Sequence, residues 1–151
     1  MQKPDDWQLR VIQLLAVAGM FVAYFLLLYH NGVLLSVCAP NGFDDCGRVS
    51  GPGAPYASIG PIPVALIGLL GYITMFMVIW LKDWLSILED YTPEIMVGLT
   101  GLAFVFTAYL TALEIFVIHA VCRYCLVSAA IITVQLILSI SYMRSIGKAA
   151  D

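Results

Sequence analysis

Two cysteines three positions apart, Cys122 and Cys125, lie within YLTALEIFVIHAVCRYCLVS (109–128) and carry the most pointed chemistry in the chain. Cys-x-x-Cys closes a disulfide ring small enough to form and break readily, which suits electron transfer better than stapling. An uncharged apolar run, 124–143, follows at once and is long enough to cross a bilayer, so the pair sits where a membrane helix begins. There a thiolate is stabilised by unpaired backbone N–H groups and the positive end of the helix macrodipole, with the Arg123 cation beside it. Both effects are expected to lower the pKa of Cys122 and make it a better leaving group.

Two further cysteines, Cys38 and Cys46, flank a segment containing Pro40, Asn41 and Gly42. These are turn formers, and they allow the two thiols to fold back toward each other. Four cysteines permit three pairings, and the sequence alone does not choose among them. The arrangement, a spaced loop pair and a tight pair at a helix end, points to a redox relay. Two other readings use the same residues. One is a pair of structural staples; the other is a zinc site built on His119-x-x-Cys122-x-x-Cys125, which an oxidising compartment opposes because zinc needs reduced thiolates. Glu114 is the only carboxylate between Ile95 and Met143. It is either an interfacial side chain reaching for water or a group that orients the redox site. His119 reads as an interfacial side chain, with proton delivery as its functional alternative.

These residues need a scaffold, and composition restricts what it is. With 62% hydrophobic and 11% charged residues, the chain has too little polar surface to clothe a soluble globule. A mean hydropathy of +0.94 agrees with an integral membrane protein. The net charge of -3 is unclustered, and nothing in it suggests nucleic-acid binding. Uncharged runs at 11–29, 59–81, 95–113 and 124–143 are each about 28 to 35 Å long as helix. They set four spans at about 11–29, 59–81, 95–116 and 121–143. The first is too long for a signal-peptide core and no small-x-small cleavage site follows it. The expected fold is an all-α membrane protein, a four-transmembrane-helix bundle with a long outer loop between helices 1 and 2, in one domain, 1–151.

The connections differ in length. Residues 30–58 form the long one and 82–94 a moderate one, while 114–122 is so short that spans three and four must make an antiparallel hairpin. Segment 47–63 is rich in Gly and Pro and is expected to be a short surface piece capping the bundle before Pro61 and Pro63 start span two. Gly68 and Gly71 would let span two pack closely on a neighbour. Thr100, Thr107 and Thr111 can bond to their own helix or across to another. An even number of spans puts both termini on one side. Lys3, Arg10, Lys82, Arg144 and Lys148 fall on that side against Arg48 and Arg123 on the other, which makes the termini cytoplasmic and the cysteine end external.

The order of loop Cys, loop Cys and Cys-x-x-Cys on span four, with YASIGPIPVALIG (56–68) and the 109–125 segment, resembles the vitamin K epoxide reductase family in its bacterial branch. The resemblance covers nearly the whole chain. It implies a quinone-dependent thiol–disulfide oxidoreductase of the inner membrane of a bacterial or archaeal cell, which reoxidises an extracytoplasmic thioredoxin-like, DsbA-type protein. Cys38 and Cys46 match the family's shuttle pair, Cys38 facing the partner and Cys46 passing electrons to Cys122; Cys125 matches the cysteine beside the quinone, ubiquinone or menaquinone. A family Ser or Thr after the second loop cysteine corresponds to Ser50 or Ser58, and the Gly-Pro-Gly that follows Ser50 departs from the usual pattern. Glu114 and His119 complete the quinone-side candidates, and no resident metal is implied. Many members carry a fused thioredoxin-like domain; the chain stops at Asp151, and a separate partner polypeptide is expected. A DsbA-like donor near about -120 mV demands strongly oxidising carriers, unlike structural disulfides below about -300 mV.

Overall fold

The computed structural model describes residues 6–34 and 44–150. Cys38 lies outside the described residues. The elements in chain order are α1 (Trp7–His30), α2 (Cys46–Ser50), β1 (Ser58–Ile59), β2 (Ile62–Pro63), α3 (Val64–Lys82), α4 (Ser86–Leu113), a π-helical turn (Glu114–Ile118) and α5 (Arg123–Ala150). Four helical stretches are long and apolar enough to span a bilayer: Trp7–His30, Val64–Lys82, Ser86–Ile118 and Arg123–Ala150. The all-α membrane bundle expected from the runs is the fold observed, with one small β-hairpin added.

Helix α1 packs on α3 and α5, and α4 packs on α5 and α3. The main core joins Leu9, Ile12 and Ala16 of α1 to Tyr72, Met75 and Ile79 of α3, Met96 of α4, and Ile132 and Tyr142 of α5. Gly19 makes the closest approach: a Cβ there would overlap the Tyr72 ring. At the cysteine end a second cluster buries Leu26, Tyr29, Cys46, Val49, Ala120 and Cys122 together.

Several helix ends differ from the uncharged runs, for a common reason. Charge marks where a chain leaves hydrocarbon, and a helix need not stop there. Thus α4 begins at Ser86 and carries Glu89, Asp90 and Glu94 on its first turns, so the connection is only residues 83–85. Trp84 and Tyr91 are exposed there, as interfacial anchors should be. At the opposite end α3 begins at Val64, later than its run. Gly60 adopts φ +62 and makes a two-residue reversal with Pro61, pairing Ile59 with Ile62 in an antiparallel hairpin. Only Pro63 borders the helix, at its N-cap.

Gly68 and Gly71 do not serve close packing; a Cβ at either would meet nothing within 4 Å. Both line open space inside the bundle instead. Thr100, Thr107 and Thr111 take the local option, donating to the carbonyls of Met96, Ala103 and Thr107 at 2.7, 2.8 and 3.0 Å.

Candidate active site

Glu114 builds the turn that presents Cys122. Where α4 ends, the backbone widens into the π-helical turn, then reverses at His119, a non-glycine residue at φ 53 and ψ 33. A left-handed residue with a side chain is uncommon, and here it ends the helix as a glycine would. The Ala120 N–H donates to the Glu114 carbonyl at 3.2 Å. The Cys122 N–H donates to Glu114 Oε2 at 3.1 Å. Main chain and side chain of one residue therefore bind the connection at two points. Glu114 is buried, 4% exposed, so of its two sequence readings the orienting one matches the geometry.

Cys122 directly precedes α5 and its carbonyl accepts the Leu126 N–H at 3.0 Å, which makes it the residue that starts the helix. Its thiol is lowered below the ordinary range chiefly by the hydrogen bond from the Cys125 thiol, with help from the Cys125 and Tyr124 backbone N–H groups. Burial and the Glu114 carboxylate act the other way. The expected contribution of the helix N-terminus is present, whereas the hydrogen bonds of Arg123 go to the loop. Its guanidinium binds Asp44 of the loop, Nε donating to Oδ2 at 2.8 Å and Nη2 to the same oxygen.

The loop is tied down on both sides of Cys46. Asp44 forms an isolated parallel β-bridge with Val121. Asp45 caps α2, its Oδ1 accepting from the Gly47 and Arg48 N–H groups at 3.0 and 3.2 Å. Gly51 closes α2 against the Gly47 carbonyl, where a Cβ would not fit. Cys46 is 2% exposed and engaged in a disulfide, while Cys122 and Cys125 are free thiols.

Both cysteines of the Cys-x-x-Cys pair touch the cluster that holds Cys46, but only Cys125 also lines a cavity. Cys122 packs with Cys46 in the buried cluster. Cys125 lines a cavity of about 110 Å³ with His30, Ser50, Glu114 and Ser128 among its polar wall and Leu26, Val64, Phe106 and Leu110 among its apolar one. Ser50 Oγ lies 3.7 Å from Cys125 Sγ. A second, apolar cavity of about 300 Å³ shares Gly68, Phe106, Thr107 and Ser128 with the first and continues down the bundle to Met75 and Leu99.

Of the sequence candidates, the structure brings Ser50, Glu114, Cys46, Cys122 and Cys125 together. Ser58 is on β1 and outside the cavity wall, and exposed His119 turns the chain without lining it. Sequence reasoning missed His30 and Ser128. Ser128 had a signal, since three positions after Cys125 on a helix is the same face; His30, the last residue of α1, had none. Among the described residues no group of three His, Cys, Asp or Glu is placed to hold a metal.

A four-helix membrane protein with a dithiol, one thiol buried and the other on the wall of a mainly apolar cavity, is the class defined by this fold and site. The profile of the vitamin K epoxide reductase family matches residues 10–140, and the chain belongs to that family. Comparison with curated proteins returns no match. Membership carries membrane thiol–disulfide oxidoreductase activity in general terms, in a family that is generally quinone-linked and works with thioredoxin-like partners.

Proposed function

We propose that the chain takes electron pairs from a separate thioredoxin-like, DsbA-type dithiol protein through Cys38 and Cys46, and delivers them through Cys122 and Cys125 to a membrane quinone. The observation that carries this reading is the division of the Cys-x-x-Cys pair, Cys122 packed with Cys46 and Cys125 on the cavity wall. A relay needs one thiol that meets the incoming disulfide and another that meets the acceptor.

The cavity suits a neutral lipophilic ring. Its walls are mainly apolar, with few convergent polar groups, as small-molecule sites usually are. Ser50, Cys125 and Ser128 would hold a quinone there; when bound, it supplies a two-electron, two-proton acceptor. The residues of the chain do the rest. Glu114 fixes the Cys122 backbone, Ser50 orients the Cys125 sulfur, and burial keeps water from the Cys122 thiol. Residues 1–151 act in this reading as one domain in a bacterial or archaeal inner membrane, with the termini cytoplasmic and the cysteines external.

Purified protein given a reduced dithiol protein and ubiquinone or menaquinone should oxidise the dithiol with matching quinone loss, and Cys125→Ala should abolish it. Quinone-independent oxidation, or full activity in Cys125→Ala, would overturn the assignment. The orientation has its own check. A membrane-impermeant thiol reagent applied to reduced intact cells should label Cys38 or Cys46, and labelling only after permeabilisation reverses it.

A further inference from the structure

The relay leaves one requirement unmet: the Cys46 segment must hold against Cys122 for exchange, yet release so that the loop can serve a protein partner. Asp44 and Arg123 sit at this junction, two residues before Cys46 and one after Cys122. Their ion pair spans 79 positions of sequence and lies beside the Asp44–Val121 bridge. We propose that this pair is an electrostatic clamp: Asp44 and Arg123 are positioning residues that set how often Cys46 lies docked on Cys122. The proposal rests on the relay reading above.

Two features make the clamp reversible. Its side chains are 40% and 61% exposed, so salt can screen the attraction. Both guanidinium donors fall on one carboxylate oxygen, Oδ2, while Oδ1 is buried with no partner among the described residues. Undocking returns that oxygen to water, which offsets part of the lost attraction. A two-oxygen, fully buried pair would hold the loop shut.

The step it governs balances as thiol–disulfide exchange. The Cys46 thiolate attacks Cys122 Sγ of the Cys122–Cys125 disulfide, forming the Cys46–Cys122 bond and releasing the Cys125 thiolate. Cys38 then attacks Cys46, forming the loop disulfide and releasing the Cys122 thiolate. Two electrons pass to the Cys-x-x-Cys pair, and the two protons given up by the loop thiols are taken by the Cys122 and Cys125 thiolates.

Docking can be measured as an effective concentration. In full-length protein carrying Cys38→Ala and Cys125→Ala, the Cys46–Cys122 disulfide is equilibrated with oxidised and reduced glutathione. Adding Asp44→Asn or Arg123→Gln should lower the effective concentration about two- to fivefold, the range of an exposed pair. The reversed pair, Asp44→Arg with Arg123→Asp, should recover it. Salt raised to roughly 1 M should bring the parent down to the level of the neutral variants, a readout that survives even if a variant fails to fold. An effective concentration indifferent to salt and charge, or a reversed pair as low as the singles, overturns the clamp. If the Cys46–Cys122 disulfide never forms in glutathione, the relay reading fails instead, and the clamp with it.

Discussion

Among the described residues, ion pairs between segments distant in sequence lie at both ends of the bundle: Lys82–Asp6 and an exposed Arg10–Asp83 pair at 3.4 Å at the terminal end, and Arg123–Asp44 at the cysteine end. Lys82–Asp6 and Arg123–Asp44, the pairs that each involve three or more segments or the dithiol, are constructed differently. At the terminal end, Lys82 Nζ, only 5% exposed, donates to Asp6 Oδ2 at 2.9 Å, and the Tyr142 hydroxyl donates to Asp6 Oδ1 at 3.3 Å. Both carboxylate oxygens are occupied, and α1, α3 and α5 are drawn together. Gln8 Nε2 adds a bond to Ser141 Oγ at 2.9 Å. At the cysteine end the cation is exposed, one carboxylate oxygen has no partner among the described residues, and the backbone leaves regular helix in the π-helical turn and at His119. A pair with a buried cation and both carboxylate oxygens occupied fixes geometry, whereas an exposed, half-used one leaves it adjustable. The bundle is anchored at one end and worked at the other.

The largest effect that would sharpen this contrast is at Glu114. Glu114→Ala leaves the buried Cys122 N–H without its acceptor, at a cost of about 1–3 kcal/mol, and lets the thiol drift. Turnover should fall roughly a hundredfold, as misplacement of a reacting group by about an ångström does. Glu114→Gln keeps an acceptor oxygen and should restore most of the rate. Equal losses in the two variants would mean that charge, and not the hydrogen bond, is what matters.

Lys82→Ala should act in the opposite manner. It strands Asp6 and should remove about 2 kcal/mol of stability, below the full value for a buried pair because Asp6 is about a third exposed. Thermal unfolding in detergent should show the loss while activity per folded molecule stays within about twofold of the parent. A drop in activity without a drop in stability would couple the two ends and break the comparison.

The smallest effect is the titration of Cys122. Its lowered pKa means that thiolate appears at a lower pH in the folded protein than in the unfolded chain. Removing the chief cause with Cys125→Ala should move the midpoint upward, read as thiolate ultraviolet absorbance against pH. A midpoint that does not rise would leave the backbone N–H groups as the main support.

Which features were legible from the sequence follows the range of the interactions involved. Four spans and the hairpin of the last two are local or periodic, and run length and spacing reveal them. Helix ends at Ser86 and Val64 were misjudged because hydropathy reports the bilayer rather than the helix. Gly68 was read as a packing residue, since absence of a side chain looks the same whether a neighbour or a cavity fills the space. Arg123 was read as a cation near Cys122 because they are adjacent, but its ion-pair partner, Asp44, is remote in sequence. The same limit left Ser50 and Ser58 undivided, until the fold set Ser50 beside Cys125.

The π-helical turn has a consequence for how the chain can vary. Ile115, Phe116 and Val117 are all exposed, between 41% and 74%, so their identities are open to exchange among apolar side chains. Their number is not. The Ala120 and Cys122 N–H groups reach back to Glu114 across this turn, and a single deletion there would draw both off its carbonyl and carboxylate while changing none of the three residues. Chain length in this turn is therefore under tighter constraint than its composition, and one inserted or deleted residue should be worse tolerated than the replacement of all three.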